Sequence, residues 1–237
     1  MKLMIATPMY GGMCTGQYTN SMINIVPILG NKGIQTSFAF IYNDSLITNA
    51  RNKLASIFVK HDFTHMLFID ADIGFDANDI VSMIEADKGV IAGVYPKKVM
   101  NWERVKEAVK NDVPTDQLEF YAGDLVINLL DYEREKAVKI NEPVEVTGLG
   151  TGFMLIKKEV MEQLKDKVDT YLDDDETVLY EYFFLKKDPV LRKQLTEDYA
   201  FCGLCRENGI SVYAAPWVRL NHTGTYTFRG AAIPVKG

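Results

Sequence analysis

The sequence predicts an α/β fold with a mainly parallel central sheet flanked by helices, and a smaller antiparallel portion toward the C-terminus. Three observations carry that prediction. Strand-like and helix-like segments alternate through the first half of the chain, which implies right-handed crossovers and a doubly wound sheet. The run His65-Met-Leu-Phe-Ile69 is apolar throughout, as in a strand covered on both faces. No repeat, low-complexity linker or composition break interrupts the 237 residues, so one domain is expected.

In chain order, residues 2–6 form a short apolar strand closed by Thr7-Pro8 and Gly11-Gly12. Residues 19–29 carry apolar positions at helical spacing and end near Gly30, with Pro27 distorting the last turn. Residues 35–42, rich in aromatic and β-branched side chains, are the second strand. Asp44 or Ser45 caps a helix running to about Lys60, with Leu46, Ala50, Leu54, Ile57 and Phe58 on one face. A helix over 78–86 and a strand over 89–95 follow. Residues 101–113 read as a charged surface helix and 119–130 as containing strand, although 100–145 follow no clear order. Beyond them come a Gly-punctuated strand at 144–156, a short helix at 158–164, and two strands around an acidic turn within 171–184. A helix at 196–208 and a last short strand at 212–214 complete the reading.

A formal net charge of −6 and the lack of a basic stripe argue against nucleic acid as a partner. An anionic small molecule can still bind locally through a metal ion, which inverts the local field. The three cysteines, Cys14, Cys202 and Cys205, are an odd number and too few for a disulfide framework. The Cys202–Cys205 spacing has no second half for a zinc site and lies in a helical pattern, so buried or bystander thiols in a reducing compartment are expected. The opening residues are too short an apolar run for a signal peptide, and no stretch reaches the roughly 18 residues of a membrane span. The expectation is a soluble, cytoplasmic protein.

The segment Phe68-Ile-Asp-Ala-Asp-Ile-Gly-Phe75 carries the most chemistry. A buried strand delivers Asp70 and Asp72 at its C-terminal end, the edge where open α/β sheets bind ligands. Two such carboxylates repel each other, and Mg²⁺ or Mn²⁺ resolves the repulsion while also accepting phosphate oxygens. Strand-end capping without a ligand is the plain alternative. His222, in Leu220-Asn-His-Thr-Gly224, follows the final strand and is a candidate third ligand; a surface histidine is the alternative. Glu197 and Asp198 open a helix, where the backbone dipole alone favours acids. That accounts fully for Glu197, while Asp198 is also a candidate general base toward a bound hydroxyl.

With these segments in place, the chain resembles GT-A glycosyltransferases, particularly small inverting bacterial and viral enzymes carrying a DxD motif. The matching pieces are Ile5-Ala-Thr-Pro-Met-Tyr10, Ser45-Leu-Ile-Thr-Asn-Ala-Arg-Asn52 and Leu67-Phe-Ile-Asp-Ala-Asp72. They continue with Gly93-Val-Tyr-Pro-Lys97, Gly148-Leu-Gly-Thr-Gly-Phe-Met154, Glu197-Asp-Tyr-Ala-Phe201 and Asn221-His-Thr-Gly224. Residues 100–145 fall outside the resemblance. It implies a nucleotide-binding half over about 1–98 and an acceptor and catalytic half over about 144–237.

The resemblance also implies roles. Thr7, Pro8 and Tyr10 would line the nucleobase pocket, and Arg51 and Asn52 would face the nucleotide or donor sugar. Asp72 would coordinate Mn²⁺ or Mg²⁺, Asp70 would contact the ribose or share the metal, and His222 would complete the site, with Ala71 between the two aspartates. Lys97 or Lys98 would help hold the donor. Gly148, Gly150 and Gly152 would let backbone pass close to the donor sugar. Asp198 would deprotonate the acceptor hydroxyl. The implied reaction is transfer from a nucleoside diphosphate sugar, UDP first and GDP second, to a glycan or glycoprotein hydroxyl, with inversion.

Two rival readings remain. A haloacid-dehalogenase-type phosphohydrolase also ends an apolar strand in Asp-x-Asp, with Asp173–Asp175 as a second carboxylate set. Its motif sits on the first strand, however, whereas two βα units precede this one, and position 74 is Gly. A catalytically silent nucleotide-sugar-binding module is the other rival, with residues 226–230 as a docking tail.

Overall fold

The computed structural model describes residues 1–130, 139–188 and 192–226. Strand β1 (Lys2–Met9) passes through a 3-10 turn into helices α1 (Gly16–Ile23) and α2 (Ile25–Asn31). Then come β2 (Gln35–Tyr42), α3 (Ile47–Lys60), β3 (His65–Ile69), β4 (Ile73–Gly74), α4 (Ala77–Glu85) and β5 (Val90–Gly93). The middle holds α5 (Trp102–Lys110), a 3-10 segment at Thr115–Tyr121 and β6 (Ile127–Leu129). The rest comprises β7 (Val144–Leu149), β8 (Phe153–Lys157), α6 (Lys158–Leu164), β9 (Thr170–Leu172), β10 (Val178–Tyr180), β11 (Lys186–Lys187), β12 (Gln194–Leu195), α7 (Glu197–Glu207), β13 (Val212–Ala215) and β14 (Asn221–His222).

Eight strands form one mixed sheet in the order β2-β1-β3-β8-β5-β13-β7-β6. Parallel pairing joins β2, β1 and β3, and again β5 and β13. Strand β8 runs antiparallel to both β3 and β5, so the first reversed strand lies in the centre of the sheet. Strand β7 is the second, antiparallel to β13 and β6. Both reversed strands come from the C-terminal half of the chain.

Burial follows the pleat. Met66 and Phe68 of β3 join one apolar cluster with Leu54 and Phe58 of α3, Met161 of α6 and Phe201 of α7. Leu67 and Ile69 join the other, with Tyr18 of α1, Leu29 of α2 and Ile80 of α4. Adjacent residues of a strand point to opposite faces, so an uninterrupted apolar run is what a strand between two helical layers requires. Helix α3 buries Ala50, Leu54 and Phe58 as the periodicity predicts, while Leu46 before its first turn is exposed. Asp44 accepts from the Leu46 N–H and the Asn49 amide, which sets the turn into this helix.

Several expected elements divide or shift. The helix expected over 19–29 is two helices joined at Asn24. Pro27 lies in the first turn of α2, where its missing N–H removes no intrahelical bond. The strand expected over 144–156 is likewise two strands, which take non-adjacent places in the sheet. The first strand does not stop before Pro8 but pairs with β2 as far as Met9. Its pairing with β3 ends at Ala6, so Pro8 faces no second neighbour that needs its N–H. Within 119–130, read as containing strand, Ile127–Leu129 pairs as β6 and Leu125 bridges to Pro96, and the expected final strand at 212–214 is followed by β14, which pairs with β4.

Behind the sheet, Phe183 packs edge-on against Phe68 at 5.3 Å and stacks on Phe201 at 4.7 Å. Its backbone is held by Asn52, whose amide oxygen accepts the Phe183 N–H at 2.9 Å and whose amide nitrogen donates to the Phe183 carbonyl at 3.0 Å. Asn52→Ala therefore leaves a buried donor and acceptor without partners. It is expected to cost roughly 1–3 kcal/mol by urea unfolding, whereas an unmoved midpoint would show that this backbone finds other partners.

Candidate active site

The sheet ladder continues one residue past β3, where the Asp70 N–H donates to the Gly152 carbonyl at 2.9 Å, and the Ile73 N–H then closes a turn on the Asp70 carbonyl. The two aspartates part company in that turn. Asp70 accepts from Arg51 Nη2 at 3.1 and 3.3 Å on its two oxygens. Arg51 Nε donates to Glu197 at 3.2 Å, so one guanidinium from α3 joins the end of β3 to the start of α7. Arg51 is only 3% exposed and lies over the Phe68 ring at 5.3 Å. Burial works against its charge, but the carboxylates of Asp70 and Glu197 outweigh burial and raise its pKa. Its Nη1 is buried without a hydrogen-bond partner among the described residues.

Asp72 turns the other way and is part-exposed. One oxygen pairs with the Lys98 ammonium and the other lies 3.4 Å from His222 Nε2. Burial alone would lift its pKa, but the neighbouring His222 and Lys98 side chains hold it below the ordinary carboxylate value. His222 is set by three contacts: β14 pairs with β4, Nδ1 lies 2.7 Å from the Pro96 carbonyl, and the ring meets Tyr95 edge-on at 5.2 Å. A carbonyl only accepts, so Nδ1 carries a proton. In a neutral ring Nε2 then presents a lone pair toward a carboxylate oxygen, an opposition that a proton or a cation between them relieves.

The predicted metal set is therefore assembled only in part. Asp72 and His222 come together, while Asp70 is engaged by Arg51. Among the described residues no three His, Cys, Asp or Glu side chains converge as a metal cluster.

Asp198 accepts from its neighbour's N–H at 2.9 Å and from the Thr196 hydroxyl. Burial, and then the adjacent Glu197 charge, push its carboxyl above the ordinary value, with Arg51 pulling the other way. The glycines of the 148–152 segment have reasons inside the protein. A Cβ on Gly150 would strike the Tyr95 hydroxyl, and one on Gly152 would lie 2.9 Å from the same ring and 3.0 Å from Asp70. Gly148 leaves room for the Tyr199 ring, which a Cβ would approach to 2.5 Å. The Gly152 N–H donates to the Tyr95 hydroxyl at 3.1 Å.

The remaining predicted residues divide. Pro8 and Tyr10 line a cavity of about 140 Å³ together with Ile41, Asp44 and Ser45. Thr7 is fully buried, with its hydroxyl 2.8 Å from the Tyr18 hydroxyl, and does not line that cavity. Asn52 is 1% exposed and engaged with Phe183, so the expectation that it faces a donor is corrected. Arg51 likewise lies beneath Asp70 rather than at the surface. Ala71 accepts the Thr15 N–H at 2.9 Å, and Lys97 is exposed beside the paired Lys98. Cys202 and Cys205 are buried free thiols, both raised above the ordinary value by burial, as the plain reading expected. Asp173 pairs with Lys53 at 3.0 Å beside the β9–β10 turn. Residues 227–230 of the proposed docking tail lie outside the described residues. Glu197, Tyr95 and Asp44 were missed as parts of these sites; the residue before Asp198 and the aromatic in Gly93-Val-Tyr-Pro-Lys97 were the available signals.

The α/β class expected from the sequence is the class observed, with a mixed central sheet flanked by helices. The chain is similar to the crystal structure of A197 from STIV, with a TM-score of 0.53 and 16% identity, covering 95% of this chain and 87% of that one. It is also similar to GalNAc-T7 crystallised with UDP, GalNAc and Mn²⁺ (TM-score 0.45, 12% identity, 94% of this chain and 43% of that one). A third likeness is to residues 1–349 of S. aureus TarS in complex with UDP-GlcNAc (TM-score 0.40, 12% identity, 90% and 56%). At these identities the likeness is one of fold. No family model and no curated protein matches the chain. No helix among the described residues is long and apolar enough to cross a membrane.

Two outcomes follow from this geometry. Arg51→Met strands the buried carboxylate of Glu197 and the part-buried one of Asp70, and is expected to cost roughly 3–5 kcal/mol in chemical denaturation; a loss below 1 kcal/mol would show that they rehydrate freely. Asp198, with a folded pKa above the unfolded value, contributes stability below about pH 4 that is lost as pH rises through the folded value. Asp198→Asn should therefore gain stability over the parent progressively above that pH. A difference that stays flat with pH would mean that Asp198 titrates alike in both states.

Proposed function

We propose that this chain is a metal-dependent glycosyltransferase, acting as one domain, that moves a sugar from a nucleoside diphosphate sugar to a hydroxyl of a glycan or glycoprotein, with inversion. The observation that carries the reading is Asp72. It sits at the C-terminal edge of the sheet, with one oxygen toward Lys98 and the other toward a histidine whose Nδ1 is already fixed by the Pro96 carbonyl. UDP is the first nucleotide to test and GDP the second, on the resemblance of the motifs.

Asp72 and His222 would hold Mn²⁺ or Mg²⁺, with nucleotide phosphate oxygens completing the shell. Such an ion, when bound, supplies Lewis-acid neutralisation of a diphosphate leaving group. Asp70, oriented by its ion pair with Arg51, is placed for a ribose contact beside Ala71. Lys98 adds a positive charge where the leaving group departs, and the exposed Lys97 is within the same segment. Pro8 and Tyr10 present an apolar wall and a ring for the base. Gly150 and Gly152 admit the Tyr95 ring, and the backbone of their segment would lie close to the donor sugar. Asp198 takes the proton from the acceptor hydroxyl, and its burial makes the carboxylate more basic and so better suited to that step. Residues 1–98 then serve the nucleotide and residues 144–237 the acceptor and catalysis.

Calorimetric titration of UDP and GDP, with Mn²⁺ and then with EDTA, tests the reading. Metal-dependent binding of one nucleotide is expected, and Asp72→Ala should abolish it. Asp198→Asn should retain donor affinity and lose on the order of 10²–10⁴ in transfer rate, the usual share of a general base. Binding of neither nucleotide with Mn²⁺ present would remove the transferase reading, and a phosphatase assay would then decide for the rival. Binding without transfer to any acceptor would identify a silent nucleotide-sugar-binding module.

A further inference from the structure

A second cavity, of about 330 Å³, is lined by Gln17, Asn20, Phe75, Asp76, Arg219 and Asn221 among others. Its size lies at the lower end of the roughly 300–1,000 Å³ of small-molecule sites. It backs onto the ribbon formed by β4 and β14. Successive strand residues point to opposite faces, so Asn221 enters this cavity while His222 reaches Asp72. The walls are tied together. The Ser21 hydroxyl donates to the Phe75 carbonyl at 2.6 Å and accepts the Phe75 N–H at 2.9 Å, which fixes α1 against the segment after β4. The Thr223 hydroxyl donates to Gln17 at 3.0 Å, and the Thr223 N–H donates to the Asp72 carbonyl at 2.9 Å.

The lining has unused capacity of a particular kind. Among the described residues, the side chains of Asn20, Asn221 and Arg219 make no hydrogen bond or ion pair. Gln17 engages only its amide oxygen, leaving two N–H donors, and Asp76 engages one oxygen with Asn78. Three amides present both donors and acceptors, while one guanidinium and one carboxylate cancel in charge. An anion here would face Asp76 and a cation would face Arg219. An apolar ligand would strip water from all five polar groups without replacing the bonds. A polyhydroxylated neutral molecule suits the lining, because each hydroxyl can donate and accept.

We propose that this cavity is a saccharide-binding subsite that takes a neutral sugar unit through Gln17, Asn20, Asp76, Arg219 and Asn221. The binding does not depend on the transferase reading. Its role does: on that reading, the cavity adjoins the Asp72–His222 site through one strand and holds a non-reacting sugar of the acceptor glycan.

The test is an NMR titration of the full chain with maltotriose, cellotriose and mannotriose, without metal or nucleotide and with inorganic phosphate as counter-probe. At least one trisaccharide is expected to shift the side-chain amide signals of Gln17, Asn20 and Asn221 to saturation. Asn20→Ala and Arg219→Ala should each weaken that binding about tenfold, the effect of one or two lost hydrogen bonds. Because Asn20 lies on the exposed side of α1, its variant is expected to fold as the parent does, with nucleotide binding unchanged. The proposal is overturned if none of the three sugars shifts those amides, if phosphate shifts them and the sugars do not, or if both variants bind sugar as the parent does. Sugar binding with no nucleotide binding would sink only the transferase reading, and the reverse result would sink only the subsite.

Discussion

A guanidinium with almost no contact with water sits between two carboxylates, and the site is arranged around it. Arg51 lies 19 residues from Asp70 and 146 from Glu197 in sequence. An isolated buried charge costs several kcal/mol, so the three groups must be delivered together or not at all. Their meeting locks α3, the end of β3 and the start of α7 into one unit. Asp198 follows Glu197 directly, so the ion pair also sets where the candidate base stands. The stacked rings of Phe183 and Phe201, with Phe68 edge-on to Phe183, fill the space behind the guanidinium and keep water from relaxing it.

This arrangement gives the two aspartates different work. Asp70 is neutralised by a fixed, buried partner, which removes most of the repulsion that a pair of carboxylates would otherwise carry. Asp72, exposed to much the same degree, has no such buried guanidinium and is the group that can meet a ligand. Its two partners differ: a flexible lysine side chain, and a histidine fixed by the Pro96 carbonyl and the Tyr95 ring. Fixed pairing beneath with one flexible lysine above is a sensible division for a site that must exchange an anionic ligand, because rigid placement comes from below while the lysine can rearrange.

Much of the fold was legible because its signals are local. The strand at Gln35–Tyr42, the strand at His65–Ile69 and the helix at Lys158–Leu164 were each readable from composition and periodicity within one element. The errors arose where a neighbour decides. Residues 144–156 have enough β character for one strand, and only the sheet shows that the turn at 150–152 sends the two halves to different partners. The glycines there suggested close approach by a ligand; in the structure the rings of Tyr95 and Tyr199 already occupy that space. The helix dipole was a sufficient account of Glu197 until Arg51 appeared beside it.

The sequence by itself determined the α/β class, the place of Asp70 and Asp72 at the end of a doubly buried strand, and the acidic start of α7. These follow from periodicities of two and 3.6 residues and from end effects that act within a single element. Tertiary structure alone decided the antiparallel strand in the centre of the sheet, the choice of Asp70 over Asp72 for Arg51, the inward turn of Asn52 and the approach of His222 to Asp72. Each of those depends on contacts between segments far apart in the chain, where the energy of burying a charge or a backbone amide is settled by which distant group meets it.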